Sequence, residues 1–382
     1  MRKNYYDDEN YDRKGRRAAS NKRRRKTHKG RNSIILLFEL IVILGLLWVL
    51  RSVVYPYSKM KQITLNETQI VAEMNKGVEE NPVFKDYTTI ALFGVDSTGG
   101  VLMGKDTSSS TGTRTDVIMV ASINNRTGDV KLCSVYRDTF VDIGDNNYTK
   151  INAAYSYGGP DQAIKTLNRN LDLNITEFVT IGFEGLTDIV NSLGGVELDI
   201  QEDAIVHLNN YQLTMAEEMG ISYTPLEHGG LQTVNGLQAT AYCRVRYIAG
   251  SDLGRAQHQR DVLKAILEKA KKVAKEKDIA TLVSLANTIL PKVATSLSIS
   301  DISGIVSGVG KYNFAGESGI PQTDMLSYGN IPGSGSCVIA MDLAKNVRWL
   351  HSYLYNNSDY TLTPDCQSNS DRIYSQSSPY AQ

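Results

Sequence analysis

Arginine stands beside carboxylates in several short runs of this chain: Arg114-Thr115-Asp116, Arg137-Asp138, Arg244-Val245-Arg246 and Asp252-Leu253-Gly254-Arg255. A guanidinium is a permanent, planar, forked donor that matches phosphate oxygens, so several converging would suit a pyrophosphate. Asp96, directly after Gly94-Val95, and Asp116 add hard oxygen ligands of the kind Mg²⁺ takes together with substrate phosphates. For any single pair, an exposed ion pair of little energetic weight is the favoured reading. Arg244 and Arg246, spaced i, i+2, would share one face of a strand, which weakens the plainer reading without removing it. Gly99 and Gly104-Lys105 have the spacing of a phosphate loop, but Asp106 stands where Ser or Thr would hold the metal, and no helical pattern follows.

Elements must hold these residues in place. Thr88 to Val95, Val117 to Ile123 and Val130 to Val135 read as strands, the last two joined by Asn124-Asn125-Arg126-Thr127-Gly128-Asp129, a hairpin loop. Gly158-Gly159-Pro160-Asp161 starts a helix carrying Ala163, Ile164, Leu167 and Leu171 at helical spacing. A strand through Val179 and Ile181, a short helix with Leu186, Ile189, Val190 and Leu193, and a strand with Val196, Leu198 and Ile200 follow. Residues 203–230 show no period and predict an irregular insertion. Ala239 to Tyr247 predicts a strand and Arg255 to Val273 a long helix, with further helices over 278–290 and 341–355. Alternation of strand and helix argues for an α/β fold: a mixed central β-sheet with helices on both faces.

The formal net charge is +0, yet residues 1–31 hold 13 Lys/Arg against 4 Asp/Glu. An apolar run from Ile34 to Leu50, broken only by Glu39 and Gly45, follows that basic tail and predicts one transmembrane helix over 34–54. Positive charge just before the span keeps the tail, residues 1–33, in the cytoplasm and puts the rest of the chain outside. No small-residue cleavage site follows the run, which argues against a removed leader. Topology and lipid contact explain the tail, so no nucleic acid partner is expected. Residues 55–87 read as a stalk, 88–275 as the catalytic domain, 276–360 as a small appended extension and 361–382 as a polar, disordered tail. Of four cysteines, Cys133 and Cys243 read as buried thiols, while Cys337 and Cys366 could pair.

Gly94-Val95-Asp96-Ser97, Arg114-Thr115-Asp116-Val117, Ser134-Val135-Tyr136-Arg137-Asp138, Lys150-Ile151-Asn152-Ala153-Ala154-Tyr155, Asn235-Gly236-Leu237-Gln238, Tyr242-Cys243-Arg244-Val245-Arg246 and Asp252-Leu253-Gly254-Arg255 resemble, in this order, the motifs of the LytR-CpsA-Psr family. The resemblance covers roughly residues 88–275, and a short cytoplasmic tail, one span and an external catalytic domain are also the family's layout. It implies a cell-membrane enzyme that transfers a glycopolymer from a polyprenyl-pyrophosphate carrier to a peptidoglycan hydroxyl. Asp96 and Asp116 would hold Mg²⁺ or Mn²⁺. Arg114, Arg137, Lys150, Arg244, Arg246, Arg255 and Gln259 would bind the pyrophosphate, with Asp96, Arg114, Arg137 and Arg246 carrying catalysis. The helices after Gly159, Glu184 and Arg255 would line a slot for the prenyl chain.

Two other readings stay open: a hydrolase that uses the same site to cleave the lipid pyrophosphate with water, and, different in kind, a non-catalytic envelope regulator or scaffold acting through the tail, against which the arginine and aspartate set argues. The chain departs from the family pattern at Tyr136, commonly Pro, at Thr98, often Arg, and at His258, commonly Arg. A phosphate-binding histidine at 258 would make affinity depend on pH. The loop from Ser97 to Thr113 is also long for the family.

Overall fold

The computed structural model of the chain describes residues 58, 61–95, 114–246, 252–276, 285 and 287–382. The expected cytoplasmic tail and transmembrane helix lie outside the described residues, as do Asp96, Thr98 and the loop to Thr113. Among the described residues, no helix is long and apolar enough to cross a membrane.

A short strand β1 (Lys61–Gln62) and helix α1 (Glu67–Ala72) precede β2 (Tyr87–Val95). β2, β3 (Thr115–Asn124) and β4 (Asp129–Val135) form an antiparallel meander. Asn124 closes the β3–β4 turn, its Oδ1 accepting the backbone N–H groups of Arg126 at 3.0 Å and Thr127 at 3.1 Å. The hairpin strands β5 (Phe140–Asp142) and β6 (Tyr148–Lys150) lead into α2 (Ala153–Leu171). α2 is kinked at Gly158 and Gly159, the latter at φ 65° and ψ −153°, a conformation essentially reserved for glycine; Pro160 then restarts the helix. Next come β7 (Glu177–Gly182), α3 (Phe183–Ser192), β8 (Val196–Ile200), α4 (Ala204–Met219), β9 (Gly230–Val234), α5 (Gly236–Tyr242) and α6 (Asp252–Lys275). The remainder supplies β10 (Val293–Thr295), α7 (Ile299–Gly308), β11 (Asn313–Ile320), β12 (Leu326–Ile331), β13 (Gly335–Ala340), α8 (Leu343–Tyr355) and α9 (Pro364–Ser377).

A seven-stranded mixed sheet in the order β1-β10-β7-β2-β3-β4-β11 organises these elements. Alternation along each strand sends one set of side chains to each face. Ala91, Phe93, Ile118, Val120 and Phe178 go to the larger core, where Ile164, Leu167 and Leu171 of α2 and Val347, Leu350 and Leu354 of α8 meet them. Leu92, Met119, Val179 and Ile181 point the other way, toward α3 and α6, and there a cavity opens.

Several expectations are corrected. The region beyond 276 is no appended domain: β11 pairs in parallel with β4 from Asn313↔Asp129 to Ile320↔Val135, β10 pairs with β7, and α8 packs in the main core. Nor is 361–382 disordered. α9 is capped by Thr363 and buries Cys366, Asn369 and Ile373, with Asn369 Nδ2 donating to Asn170 Oδ1 at 2.9 Å. Residues 61–86 are not a free stalk, because Leu65, Ile70, Val78 and Phe84 are buried in the same core. Residues 204–219 form a helix instead of an irregular insertion, and 236–242 a helix instead of a strand. Cys337 and Cys366 are each buried free thiols, as are Cys133 and Cys243.

A candidate active site at the polar end of an apolar cavity

The cavity encloses about 540 Å³ between the second face of the sheet and helices α3 and α6. Leu92, Met119, Val179, Ile181, Leu186, Ile189, Val262, Ile266, Leu290 and Ile302 give it an apolar body. Asp116, Arg244, Arg246, Arg255 and Gln259 give it one charged end. α6 builds both parts with one stripe: Arg255, Gln259, Val262 and Ile266 recur at helical spacing, polar in the first turns and apolar beyond. Along β3, Val117 and Met119 alternate onto the cavity face, and Asp116, the extra residue where the pairing with β2 shifts register between Gly94 and Val95, joins them.

Arg137, just past the end of β4, reaches across to the Asp116 carboxylate and also sits 3.5 Å from Asp138. Burial opposes its charge, but Asp116, Asp138 and Asp252 around it outweigh that and raise its pKa. Lys150, from β6, holds the other oxygen of Asp138 at 3.1 Å, and Arg255 bonds Asp252 at 2.9 Å. Arg255 is only 4% exposed, and burial together with the neighbouring Arg137 lowers its pKa to about 10. It stays charged at neutral pH, and its Nη1 has no hydrogen-bond partner in the protein. A buried guanidinium with donors to spare is a strong anchor for an anion.

Arg244 and Arg246 reach the cavity from the turn after α5, not from a strand. Asn235 caps α5 in a reciprocal box with Gln238, whose side chain accepts the Asn235 N–H at 2.8 Å. Gly236 is required by close packing on α3, since a Cβ there would lie 2.0 Å from the carbonyl oxygen of Thr187. Gln259 Nε2 donates to the Cys243 carbonyl at 3.3 Å, tying that turn to α6. Arg244 lies over the rings of Phe183 and Tyr211, 4.8 and 5.3 Å from their centroids, so its orientation is fixed by aromatic faces.

Of the residues expected at a pyrophosphate site, Arg244, Arg246, Arg255, Gln259 and Asp116 therefore converge on the cavity, and Arg137 joins them through Asp116. Lys150 stands behind, on Asp138, and Arg114 is exposed before β3, outside the described lining. The helix after Gly159 does not line the cavity: its apolar face belongs to the opposite core. His258 is also off the site. It is buried against Tyr242, ring centroids 4.2 Å apart, and burial lowers its pKa, so a charged, pH-dependent phosphate ligand there is not what the fold provides. Tyr136 fills a pocket beside β11, where Gly319 makes room for its ring; a Cβ on Gly319 would lie 2.3 Å from its hydroxyl. Reading of the sequence missed Asp138 as the partner of Lys150 and Tyr211 as an arginine platform. The Asn-x-x-Gln signature at Asn235 was the signal that would have found α5.

Among the described residues, no group of three or more His, Cys, Asp or Glu forms a metal cluster. The donor chemistry nevertheless fits a shared cation, because Asp116 brings a hard carboxylate to the polar end and Arg137 engages one of its oxygens, leaving the second.

Comparison with known proteins gives a consistent picture. The family model described as LytR_cpsA_psr family matches residues 54–332. The polyisoprenyl-teichoic acid–peptidoglycan teichoic acid transferase TagU of Enterococcus faecalis is 30% identical over 72% of this chain and 83% of its own. TagT of Bacillus subtilis, named for the same activity, is 29% identical over 60% of this chain and 66% of its own. Among solved structures, YwtF (TagT) with bound octaprenyl pyrophosphate lipid superposes with a TM-score of 0.53 at 23% identity, covering 76% of this chain and 99% of that one, which shows a common fold.

Proposed function

This chain belongs to the LytR-CpsA-Psr family, and on that premise we propose that it transfers a glycopolymer from a polyprenyl-pyrophosphate carrier to a hydroxyl of peptidoglycan, forming a phosphodiester. The observation that carries this reading is one cavity with an apolar body and an arginine-lined end, the shape of a prenyl chain joined to a pyrophosphate. Relatives named as teichoic acid transferases, and a fold relative carrying octaprenyl pyrophosphate, support it.

In this reaction the prenyl chain occupies the apolar body, where water is excluded, and the pyrophosphate meets Arg244, Arg246, Arg255 and Gln259. The acceptor hydroxyl attacks the phosphorus that bears the glycan, the bond to the prenyl phosphate breaks, and the hydroxyl proton passes to a carboxylate, for which Asp96 is the proposed base. Prenyl phosphate leaves with the bonding electrons. Its growing charge is met by guanidinium groups held in place beforehand by Asp252, Phe183 and Tyr211, so little reorganisation is needed as charge develops. Arg137, fixed by Asp116 and Asp138, adds a further cation at the same end. Asp96 and Asp116 are the residues proposed to hold Mg²⁺ or Mn²⁺, which when bound neutralises phosphate charge. The apolar run over 34–54 is the proposed anchor, with the basic tail inside the cell and the enzyme outside, where a membrane-borne lipid and the wall are both within reach.

The test incubates the full chain in detergent with a short-chain polyprenyl-pyrophosphate glycan, peptidoglycan fragments and Mg²⁺, alongside Arg246→Ala, and identifies products by mass spectrometry. A glycan–muropeptide phosphodiester that falls at least about a hundredfold in the variant is expected, the range for losing one charge-stabilising donor. Cleaved lipid without a phosphodiester would replace the transferase with a hydrolase. Turnover in neither protein would sink the enzymatic reading in favour of a scaffold.

A further inference from the structure

We infer that Tyr328, Asn330 and Ser336, on the β12–β13 hairpin beside the charged end of the cavity, form a saccharide subsite that seats a sugar ring of one of the two glycans the reaction joins. The inference rests on the substrate reading above.

Backbone hydrogen bonds fix where this hairpin lies. The Val338 N–H on β13 donates to the Asp138 carbonyl at 2.9 Å, and Val338 bridges in parallel to Thr139. β13 is therefore the neighbour of the segment that carries Arg137 and Asp138, and β12 lies one strand further out, about 10 Å from that segment. Register places Tyr328 opposite Val338 and Asn330 opposite Ser336. Side chains alternate across the hairpin. Ile331, Cys337 and Ile339 go to the main core, whereas Leu326 and Val338 pack with Tyr136, Leu253 and Ala256 by the first turns of α6. Tyr328, Asn330 and Ser336 share that second face, and all three are exposed, Tyr328 to 40%. Asp252, the partner of Arg255, is near enough that its carboxylate adds to burial in raising the Tyr328 pKa, so the hydroxyl stays a neutral donor.

A single exposed tyrosine needs no explanation, but this one is held on both sides. The Tyr328 carbonyl accepts the Gln382 N–H at 3.0 Å, the Ser327 hydroxyl donates to the Gln382 carbonyl at 2.6 Å, and Gly329 bridges to Ala381. Only glycine fits at 329, since a Cβ there would lie 2.3 Å from the Tyr380 carbonyl oxygen. Residues 380–382 thus cover the outer edge of β12. With the Val338 N–H turned to Asp138 and the Tyr328 carbonyl turned to Gln382, these two residues face each other as a non-hydrogen-bonded pair, the kind whose side chains stand closer. The ring is therefore placed before any ligand arrives, which lowers the ordering cost of binding. A pyranose has a face of C–H groups and a rim of hydroxyls. Tyrosine offers a flat apolar surface to the first, and its hydroxyl, the Asn330 amide and the Ser336 hydroxyl offer donors and acceptors to the second. The acceptor glycan and the glycopolymer share this chemistry, and both must reach the charged end.

Transfer kinetics of the full chain in detergent test this, with a short-chain polyprenyl-pyrophosphate glycan and peptidoglycan fragments each varied in turn, for the unaltered protein, Tyr328→Ala and Tyr328→Phe. Tyr328→Ala is expected to raise KM for one of the two glycans about tenfold, roughly 1.4 kcal/mol, with the loss in KM and not in kcat. Tyr328→Phe keeps the stacking face and should lose no more than about threefold, the share of one hydroxyl. A rise confined to the peptidoglycan fragment seats the acceptor on Tyr328, and one confined to the lipid-linked substrate seats the glycopolymer. Farnesyl pyrophosphate, a short soluble probe without a sugar, should bind all three proteins alike by calorimetry. Unchanged KM for both glycans in Tyr328→Ala, or Phe no better than Ala, overturns the subsite while leaving the substrate reading intact. Weakened farnesyl pyrophosphate binding in Tyr328→Ala also overturns it, because the residue would then only buttress the charged end. Absence of product from the unaltered protein overturns the substrate reading and the subsite with it.

Discussion

On β7, Phe178 is met by the tightly packed face that α2 and α8 cover, while Val179, the next residue, looks into an open cavity. The two faces of one sheet are thus finished in opposite ways. On the first, Ile164, Leu167 and Phe178 are fully buried and interlock. On the second, α3 and α6 stand away from the strands, and apolar side chains such as Leu92 and Ile181 keep only part of the contact they could have. A void of this kind forfeits dispersion energy along its whole lining. Stability alone gives no reason to keep it, and a ligand that fills it does.

The contrast is sharpest in what truncation does to each face. Leu167→Ala, in the packed layer, should cost about 3–4 kcal/mol, since a cavity is created where none existed. Ile181→Ala removes a similar side chain from a wall already open and should cost about 1 kcal/mol. Thermal or denaturant unfolding measures both, and equal losses would erase the distinction between the faces.

The packed face also contains a titratable group, and pH should reach it. His351 on α8 is buried between Phe84, Tyr355 and Tyr360, with its Nε2 bonded to the Leu171 carbonyl at 3.0 Å. A carbonyl only accepts, so Nε2 carries a proton. Burial lowers its pKa to about 4 from an ordinary 6.5. A depressed pKa means the stabilising neutral form is fully in place above about 6.5 and is lost progressively as the pH falls toward about 4, on the order of 3 kcal/mol in all. His351→Gln should remove that part of the acid sensitivity, seen as a flatter dependence of melting temperature on pH; an unchanged slope would show that the ring is not the titrating group.

Filling the open face should do the reverse of truncating it. Ile181→Trp is expected to leave folding stability within about 1 kcal/mol and to weaken farnesyl pyrophosphate binding about tenfold, because the side chain takes the volume of the ligand. Unchanged affinity would mean that the apolar body is not where the prenyl chain lies.

Much of the fold was legible where local signals and tertiary packing agree. The β3–β4 hairpin, the helix restarted by Pro160 and the alternating strand β7 carry turn chemistry and periodicity strong enough to be read directly. β11 was invisible because its sequence, Asn313-Phe314-Ala315-Gly316-Glu317-Ser318-Gly319-Ile320, has little strand character. It is a strand because β4 offers an unpaired edge and Tyr136 needs the space that Gly319 leaves. α9 escaped for a related reason. It docks through small polar residues and through Asp172, which accepts from the Thr363 N–H at 2.9 Å and hydroxyl at 2.7 Å and from Asn75 at 2.6 Å, and hydropathy does not register such contacts.

At the site itself, residue type and spacing showed that arginines and carboxylates of the kind that suit a phosphate were present, because guanidinium chemistry is a property of the residue wherever it stands, and the resemblance to the family named the candidates. Tertiary structure alone decided that Arg244 and Arg246 arrive from a helix-ending turn, that His258 turns away, and that Lys150 stands behind Asp138. Distances between groups from β4, β6, α5 and α6 exist only once the sheet and its helices have closed around them, and the convergence of charge depends on distance.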